Sequence, residues 1–364
     1  MSQARYLMIG GFLGAGKTTA VLRLAQRLTD SGLRVGLITN DQSFGLVDTA
    51  TLGAHGFPVE EITGGCFCCR FNSLVTAADR LTEAARPDVF IAEPVGSCTD
   101  LKATVDYPLR RMYGDHYSVA PLSVMVDPIR ALRILGLEPG KSFSPKVTYI
   151  YEKQLEEADL IVVNKIDLLE ADRVQTLVRA LRERFPRSEV LCVSAREGAG
   201  TDEWLERLTT GSARTAESME VDYDLYAEGE ALLGWLNATL RLEADDEVDG
   251  NALLLRLAQE IQARVQGEGG EIAHLKLTLT PDEDGRDLGV VNAVRGDRPA
   301  EASHLLQEPV ASGEVILNLR AEADPERLKE IVGEVLRGEA GLSVEHLESF
   351  RPGRPVPTHR LAAV

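Results

Sequence analysis

Gly11-Phe12-Leu13-Gly14-Ala15-Gly16-Lys17-Thr18 follows the apolar run Tyr6-Leu7-Met8-Ile9 and precedes a helix-like segment from Thr19 to Leu28. Its spacing is G-x-x-x-x-G-K-[ST], the pattern of a phosphate-binding loop set between a strand and a helix. Residues without bulky side chains let backbone N–H groups curl round phosphates, so Gly14, Ala15, Gly16, Lys17, Thr18 and Thr19 form the expected cradle. Lys17 brings a positive charge to the β- and γ-phosphates, and Thr18 offers a hydroxyl to Mg²⁺. The helix that starts near Lys17 points its positive dipole end at the same anion.

Further strands are legible downstream. Arg34 to Thr39 reads as a second buried strand ending at Asn40-Asp41. In a doubly wound sheet the strand C-termini face the ligand crevice, so Asp41 either approaches the Mg²⁺ or the attacking water, or caps a helix. Residues 42–56 lack a strong period and contain several glycines, which predicts a mobile switch loop with one short helix. Asp88 to Ala92 is a third apolar strand, and Glu93 closes it with a second carboxylate for the Mg²⁺ or the water. Gly96, just beyond, can sense the γ-phosphate.

Leu160 to Val163 leads into Asn164-Lys165-Ile166-Asp167. Asp167 can accept from both N1–H and the N2 amino group of guanine, a donor pair that adenine lacks. Asn164 braces the loop, and Lys165 lays its stem along the base. The triphosphate is therefore expected to be GTP. Ser194-Ala195, after the strand Glu189 to Val193, can offer backbone N–H groups to the base. Strands alternate with helices from Tyr6 to Leu208, which predicts an α/β fold of the P-loop kind, with a mostly parallel sheet covered on both faces.

Cys66, Cys68 and Cys69 crowd into Gly64-Gly65-Cys66-Phe67-Cys68-Cys69. Cys66 and Cys68 can share one face of an extended segment, and Cys69 joins them only if the backbone turns there. Three soft thiolates suit Zn²⁺ or Cu⁺ rather than Mg²⁺ or Ca²⁺, and are one ligand short of a closed tetrahedral site. Water, a side chain such as Glu60, Glu61, His55 or His116, or a partner protein would complete the shell. Cys98 reads as a buried thiol with a metal role as the alternative, and Cys192 as core.

The net charge of −18, with no run of Lys or Arg, argues against nucleic acid and anionic membranes as partners. No stretch approaches a membrane-spanning length, and the first residues enter a strand directly, so the expectation is a cytoplasmic protein. In a reducing compartment the cysteine cluster points to metal or redox chemistry and not to a disulfide framework.

Composition places domain limits at 1–212 for the nucleotide-binding unit, 213–352 for a second domain and 353–364 for a Pro-rich tail, extended or disordered. Gly211 to Thr215 is the expected linker. The second domain reads as β-α-β-β-(β)-α-β, a ferredoxin-like α+β sandwich with one extra strand and an acidic loop at Glu243 to Asp249. No catalytic constellation is visible in it, which leaves client recognition or mere support of the first domain.

Taken together, the residues resemble the CobW-type GTPases, relatives of the hydrogenase- and urease-maturation GTPases. The resemblance rests on Gly10 to Thr19, Gly64 to Cys69, Glu93-Pro94-Val95-Gly96, Asn164 to Asp167 and Ser194-Ala195, and covers the first 210 residues. It departs at Asn40-Asp41-Gln42-Ser43-Phe44-Gly45, where members carry Asn-Glu-Phe-Gly, and at Gly96 to Leu101. The His-rich tract of many members is also missing, which marks a divergent subgroup. The resemblance implies a nucleotide-switched metallochaperone or metal insertase that hydrolyses GTP slowly. It would bind zinc, cobalt or another transition metal at the three cysteines for a client metalloprotein or cofactor-assembly protein, with a homodimer as one assembly. Lys17, Glu93 and Asp41 are the expected catalytic groups. The competing readings are a regulatory GTP-binding module with a structural or redox cysteine site, and a small-molecule kinase.

Overall fold

The computed structural model describes residues 3–42, 47–214, 218–282 and 287–362, and everything below concerns those residues. Ser43 to Leu46, in the expected switch loop, and Thr215 lie outside them. The chain divides into two compact units. The first comprises Met1–Gln42, Phe57–Tyr226 and Arg354–Val364; the second comprises Ser43–Gly56 and Ala227–Gly353.

The first unit begins with β1 (Ala4–Gly11), α1 (Lys17–Asp30) and β2 (Val35–Asn40). The next helix, α2 (Val47–Ala54), belongs to the second unit. The chain returns through β3 (Val59–Ile62), α3 (Phe71–Ala85) and β4 (Val89–Glu93). A π-helical turn, Lys102–Asp106, runs into α4 (Tyr107–Tyr113), β5 (Tyr117–Val119) and β6 (Ser123–Val126). Then come α5 (Pro128–Ile134), α6 (Pro145–Glu157), β7 (Leu160–Val163), α7 (Ala171–Arg184), β8 (Glu189–Cys192) and α8 (Thr201–Thr210).

The sheet order is β3-β2-β4-β1-β6-β7-β8, with β5 also pairing β1, and every pairing is parallel. Helices on both faces explain why β1, β2, β4 and β7 are continuous apolar runs and not alternating ones: Tyr6 to Ile9, Leu37, Ile38, Phe90, Ile91 and Ile161 to Val163 are all buried. This is the expected doubly wound α/β fold. The strand order reverses at β1, so the loops after β1, β2, β4, β6 and β7 end on one edge, where ligands of such sheets bind.

The second unit is a fully antiparallel sheet with two helices on one face. After α9 (Tyr223–Leu232), its elements are β9 (Leu233–Val248), α10 (Gly250–Gly267), β10 (Glu271–Pro281), β11 (Gly289–Ala293), β12 (Glu301–His304), β13 (Val310–Glu322), α11 (Pro325–Arg337) and β14 (Leu342–Phe350). The order β12-β11-β10-β13-β9-β14 is the ferredoxin-like arrangement, extended at one edge by the β11–β12 hairpin. Alternation along β13 separates its faces: Leu317 and Leu319 enter the core with Leu257, Ile261, Leu328 and Val332 from α10 and α11. Ile316 and Asn318 face the other way, and α2 sits on that second face. Val47 packs with Leu288, Val290 and Ile316, its N–H donates to Asn318 Oδ1 at 3.1 Å, and Asp48 pairs with Lys276.

Two sequence expectations need correction here. The acidic stretch Glu243 to Asp249 is not a loop, because β9 runs on to Val248, with Glu243 and Val248 in register with Ser312 and Val310 of β13, and the side chains of Glu243, Asp245 and Asp246 are exposed to solvent. Residues 218–226, expected in the second domain, belong to the first unit: Tyr226 donates to Ser97 O and accepts from the Thr99 N–H. Among the described residues no helix is long and apolar enough to cross a membrane.

Candidate functional site

The phosphate loop is shaped by residues that arrive from four strand ends. Gly16 has φ of +90°, and a β-carbon there would come within 2.5 Å of Asn164 Nδ2, so only glycine fits. Asn164, 2% exposed, uses both ends of its amide: Nδ2 donates to Ala15 O at 2.9 Å and Oδ1 accepts the Ala195 N–H at 3.0 Å. Lys165 is held in the left-handed region and sends Nζ to Gly14 O at 2.6 Å and to Asp127 Oδ2 at 2.9 Å. Asp127 also caps α5 by accepting from Arg130 N. The buried Arg130 guanidinium reaches Leu13 O at 2.7 Å and lies over Phe143.

Lys17 Nζ donates to Gly11 O at 3.0 Å and stands 4.0 Å from Glu93 Oε1. The Thr18 hydroxyl donates to the same Glu93 oxygen at 3.2 Å. Two hard oxygen donors side by side at the strand edge have the chemistry that Mg²⁺ takes. Asp41 lies at the end of β2, its N–H on Ile62 O and its Oδ1 accepting from Gln42 N. Asp167 sits exposed in a short 3₁₀ turn.

One expectation changes in kind. The Ser194 N–H donates to Ala199 O and the Ala195 N–H to Asn164 Oδ1, so both amides are already engaged in shaping the loop and not aimed at a base. Arg23 from α1 braces the same loop through Ala195 O and Arg196 O.

The cysteines form the second cluster of the unit. After Gly64-Gly65 the backbone turns, with the N–H groups of Cys69 and Arg70 both on Cys66 O, and α3 starts at once. That turn brings three thiols together: Cys66 to Cys68 at 2.8 Å, Cys66 to Cys69 at 3.3 Å and Cys68 to Cys69 at 3.7 Å between sulfurs. Sulfurs at tetrahedral zinc lie ~3.8 Å apart, given a Zn–S bond of about 2.3 Å, so the trio fits a soft metal after a small spreading. Asn40 Nδ2 ties the end of β2 to this loop through Ile62 O and Gly65 O.

The thiols differ electrostatically. Thiol hydrogen bonds with Cys68, Cys69 and Cys98 hold Cys66 well below the ordinary thiol range. Cys68 is pushed well up by its bond to Cys66, and Cys69 to about 11 by the same partner, helped by burial.

The tail lies across this loop. Val356 N–H donates to Cys69 Sγ at 3.2 Å, Thr358 N–H to Cys68 O at 2.8 Å, and the Thr358 hydroxyl to Cys69 O at 3.0 Å. Arg360 Nε then pairs with the buried Asp100 at 2.7 Å. The tail is extended, and it is bonded rather than loose. Asp127, Arg130, Asn40 and the tail were not singled out from sequence. Asp127-Pro128 after a strand is the one local signal among them, a helix cap with proline at the first helical position.

The chain matches the family model described as CobW/HypB/UreG, nucleotide-binding domain, over residues 5–191. It is 29% identical over 212 residues to the zinc chaperone CobW of Sinorhizobium sp, a match covering 52% of this chain and 58% of that protein. It is 30% identical over 174 residues to the zinc chaperone YeiR of Escherichia coli K12, covering 47% and 49%. It is also 30% identical over 200 residues to the hydrogenase maturation factor HypB of Escherichia coli K12, covering 54% and 60%. The matches therefore span about half the length of these relatives. With more than half of the chain inside the family model, the protein belongs to the CobW/HypB/UreG family of nucleotide-binding domains.

Proposed function

We propose that this protein is a GTP-hydrolysing metallochaperone that carries a transition metal, zinc or cobalt, at Cys66, Cys68 and Cys69 for a client metalloprotein or cofactor-assembly protein. The observation that carries the reading is the convergence of three thiols on one turn in the same compact unit as the phosphate loop. Its relatives' names, zinc chaperone and maturation factor, support it.

In this reading the backbone from Gly14 to Thr19 cradles the phosphates and Lys17 leaves Gly11 O for the β- and γ-oxygens. Thr18 and Glu93 would hold Mg²⁺, which supplies charge neutralisation at the phosphates. Glu93 positions the attacking water, with Asp41 as the second candidate. Asp167 reads guanine, Lys165 covers it, and Asn164 with Ser194 and Ala195 fixes the loop that presents them. With no water-orienting glutamine or arginine finger named among the described residues, turnover by the lone chain is slow in this reading, and a dimer or client completes it.

Asn40 joins the end of β2 to the cysteine loop, and this supports a metal affinity that depends on the bound nucleotide. Zinc affinity in the presence of GDP and of a non-hydrolysable GTP analogue tests the proposal. Different affinities are expected; equal ones overturn the switch, and no zinc binding at all overturns the metallochaperone.

A further inference from the structure

Cys98 lies 29 residues beyond Cys69 in sequence, on the loop that follows β4, and is 1% exposed. Its thiol neighbours those of Cys66 and Cys68 and stands just outside the group of sulfurs within 4.8 Å of one another that Cys66, Cys68 and Cys69 form. The backbone that presents it is held from several sides. Its N–H is on Val95 O, Gln154 Nε2 donates to Gly96 O and Cys98 O, and Tyr226 bridges Ser97 and Thr99. Asp100, at φ +65°, is fixed by the Tyr223 hydroxyl and Arg360. So many bonds around the backbone of one buried thiol, beside two of the other three, go beyond what a packing residue needs.

We propose that Cys98 is the fourth thiolate of the metal site, closing the Cys66-Cys68-Cys69 trio into a tetrahedral four-cysteine shell. The inference rests on the metallochaperone reading and deepens it. Three thiolates leave tetrahedral zinc one ligand short, and a fourth buried thiol beside two of them supplies it without water. Binding of one M²⁺ forms four M–S bonds and releases to solvent the S–H protons that the four cysteines still carry, so no oxidant or reductant is involved. Cys69 is the half-buried member and Cys98 the deep one, so the metal leaves by the Cys69 side.

The loop also gives Cys98 a link to the nucleotide. Gly96, two residues before it, packs so closely on the phosphate loop that a β-carbon would lie 2.6 Å from Leu13 Cδ2 and 3.0 Å from Leu13 N. A phosphate-driven shift of Gly96 is transmitted through Ser97 to one ligand of the shell and not to the other three. Nucleotide state then toggles the site between four ligands and three, holding and releasing the metal.

The test uses the full chain, stripped of metal and loaded with one equivalent of Zn²⁺ alone. Zinc-edge X-ray absorption should count four sulfurs at about 2.3 Å. Cys98→Ser should give three sulfurs and one lighter atom, with zinc affinity about 10²-fold weaker by chelator competition. Cys192→Ser, on β8, should match the wild type. Three sulfurs plus a lighter atom in the wild type overturns the proposal even if the Cys98 variant fails to fold, and so does a Cys98→Ser chain of unchanged affinity. A wild-type chain that takes up no zinc instead overturns the metallochaperone reading itself.

Discussion

Val356 donates its backbone N–H to Cys69 Sγ at 3.2 Å, from a tail segment in which Pro355 and Pro357 flank it. Prolines on both sides hold the segment extended before it docks, so little entropy is lost in making the bond. An N–H donor stabilises the thiolate over the thiol. Val356→Pro removes the donor and keeps the extended backbone, so the Cys69 pKa rises from its already raised position near 11. Zinc binding should weaken about 5-fold, corresponding to roughly 1 kcal/mol for a half-exposed charge-assisted bond. Chelator competition at neutral pH measures this, and an unchanged affinity would show that the tail is a passive cover.

Glu93 and Asp41 compete for the same role, and substitution separates them. Glu93 accepts from Thr18 and stands near Lys17, whereas Asp41 has its carboxylate on Gln42 N. Glu93→Gln should lower kcat about 10²-fold with GTP still bound, and Asp41→Asn by less than about 10-fold. Single-turnover hydrolysis gives the order, and the reverse order would move the water to Asp41.

Asp167 is exposed and carries the whole guanine preference in the proposed site. Asp167→Asn replaces one acceptor by a donor, so GTP affinity should fall about 10²-fold or more. Xanthosine triphosphate, which offers an acceptor where guanine has its amino group, should recover much of the loss. Titration of the wild type and the variant with each nucleotide checks this, and equal loss for both nucleotides would remove Asp167 from base recognition.

Asp106 gives a pH dependence with a definite sign. Burial outweighs its 2.6 Å ion pair with Arg110 and raises its pKa to about 7, against 3.8 for an ordinary Asp. The folded state therefore holds a proton that the unfolded state has lost, and the stability contributed by the neutral carboxyl declines as pH rises from about 4 to about 7. Asp106→Asn should remove that decline, gaining on the wild type by roughly 2–3 kcal/mol between pH ~5 and pH ~8. Urea unfolding at the two pH values measures the difference; parallel curves would show that Arg110 keeps the carboxylate charged.

What was legible in the chain was whatever covalent spacing alone dictates. The phosphate loop, Asn164 to Asp167 and Cys66 to Cys69 are each short runs whose residues meet because the backbone between them has few ways to go. Cys98 and Val356 join the same sulfur cluster from 29 and 287 residues beyond Cys69, and no local pattern announces such a meeting. Ser194 and Ala195 were found as a motif, but the direction of their N–H groups depends on Asn164 and Ala199 and was not readable. The acidic stretch after Leu242 reads as a loop, but charge signals one only when no partner strand is there to take its backbone, and here β13 pairs it at Glu243 and Val248.

The segment Ser43–Gly56 leaves the parallel sheet after β2, contributes α2 to the second unit and comes back before β3, and the tail returns from the second unit to the first. The chain thus passes between the two units four times. A protease that cuts only near Tyr226 would leave the pieces laced together by the other three crossings. A chain begun at Ala227 would be made without Val47 and Asp48, the residues that meet Asn318 and Lys276. The unit that looks like an appended module in the sequence is, in covalent terms, inseparable from the nucleotide-binding one.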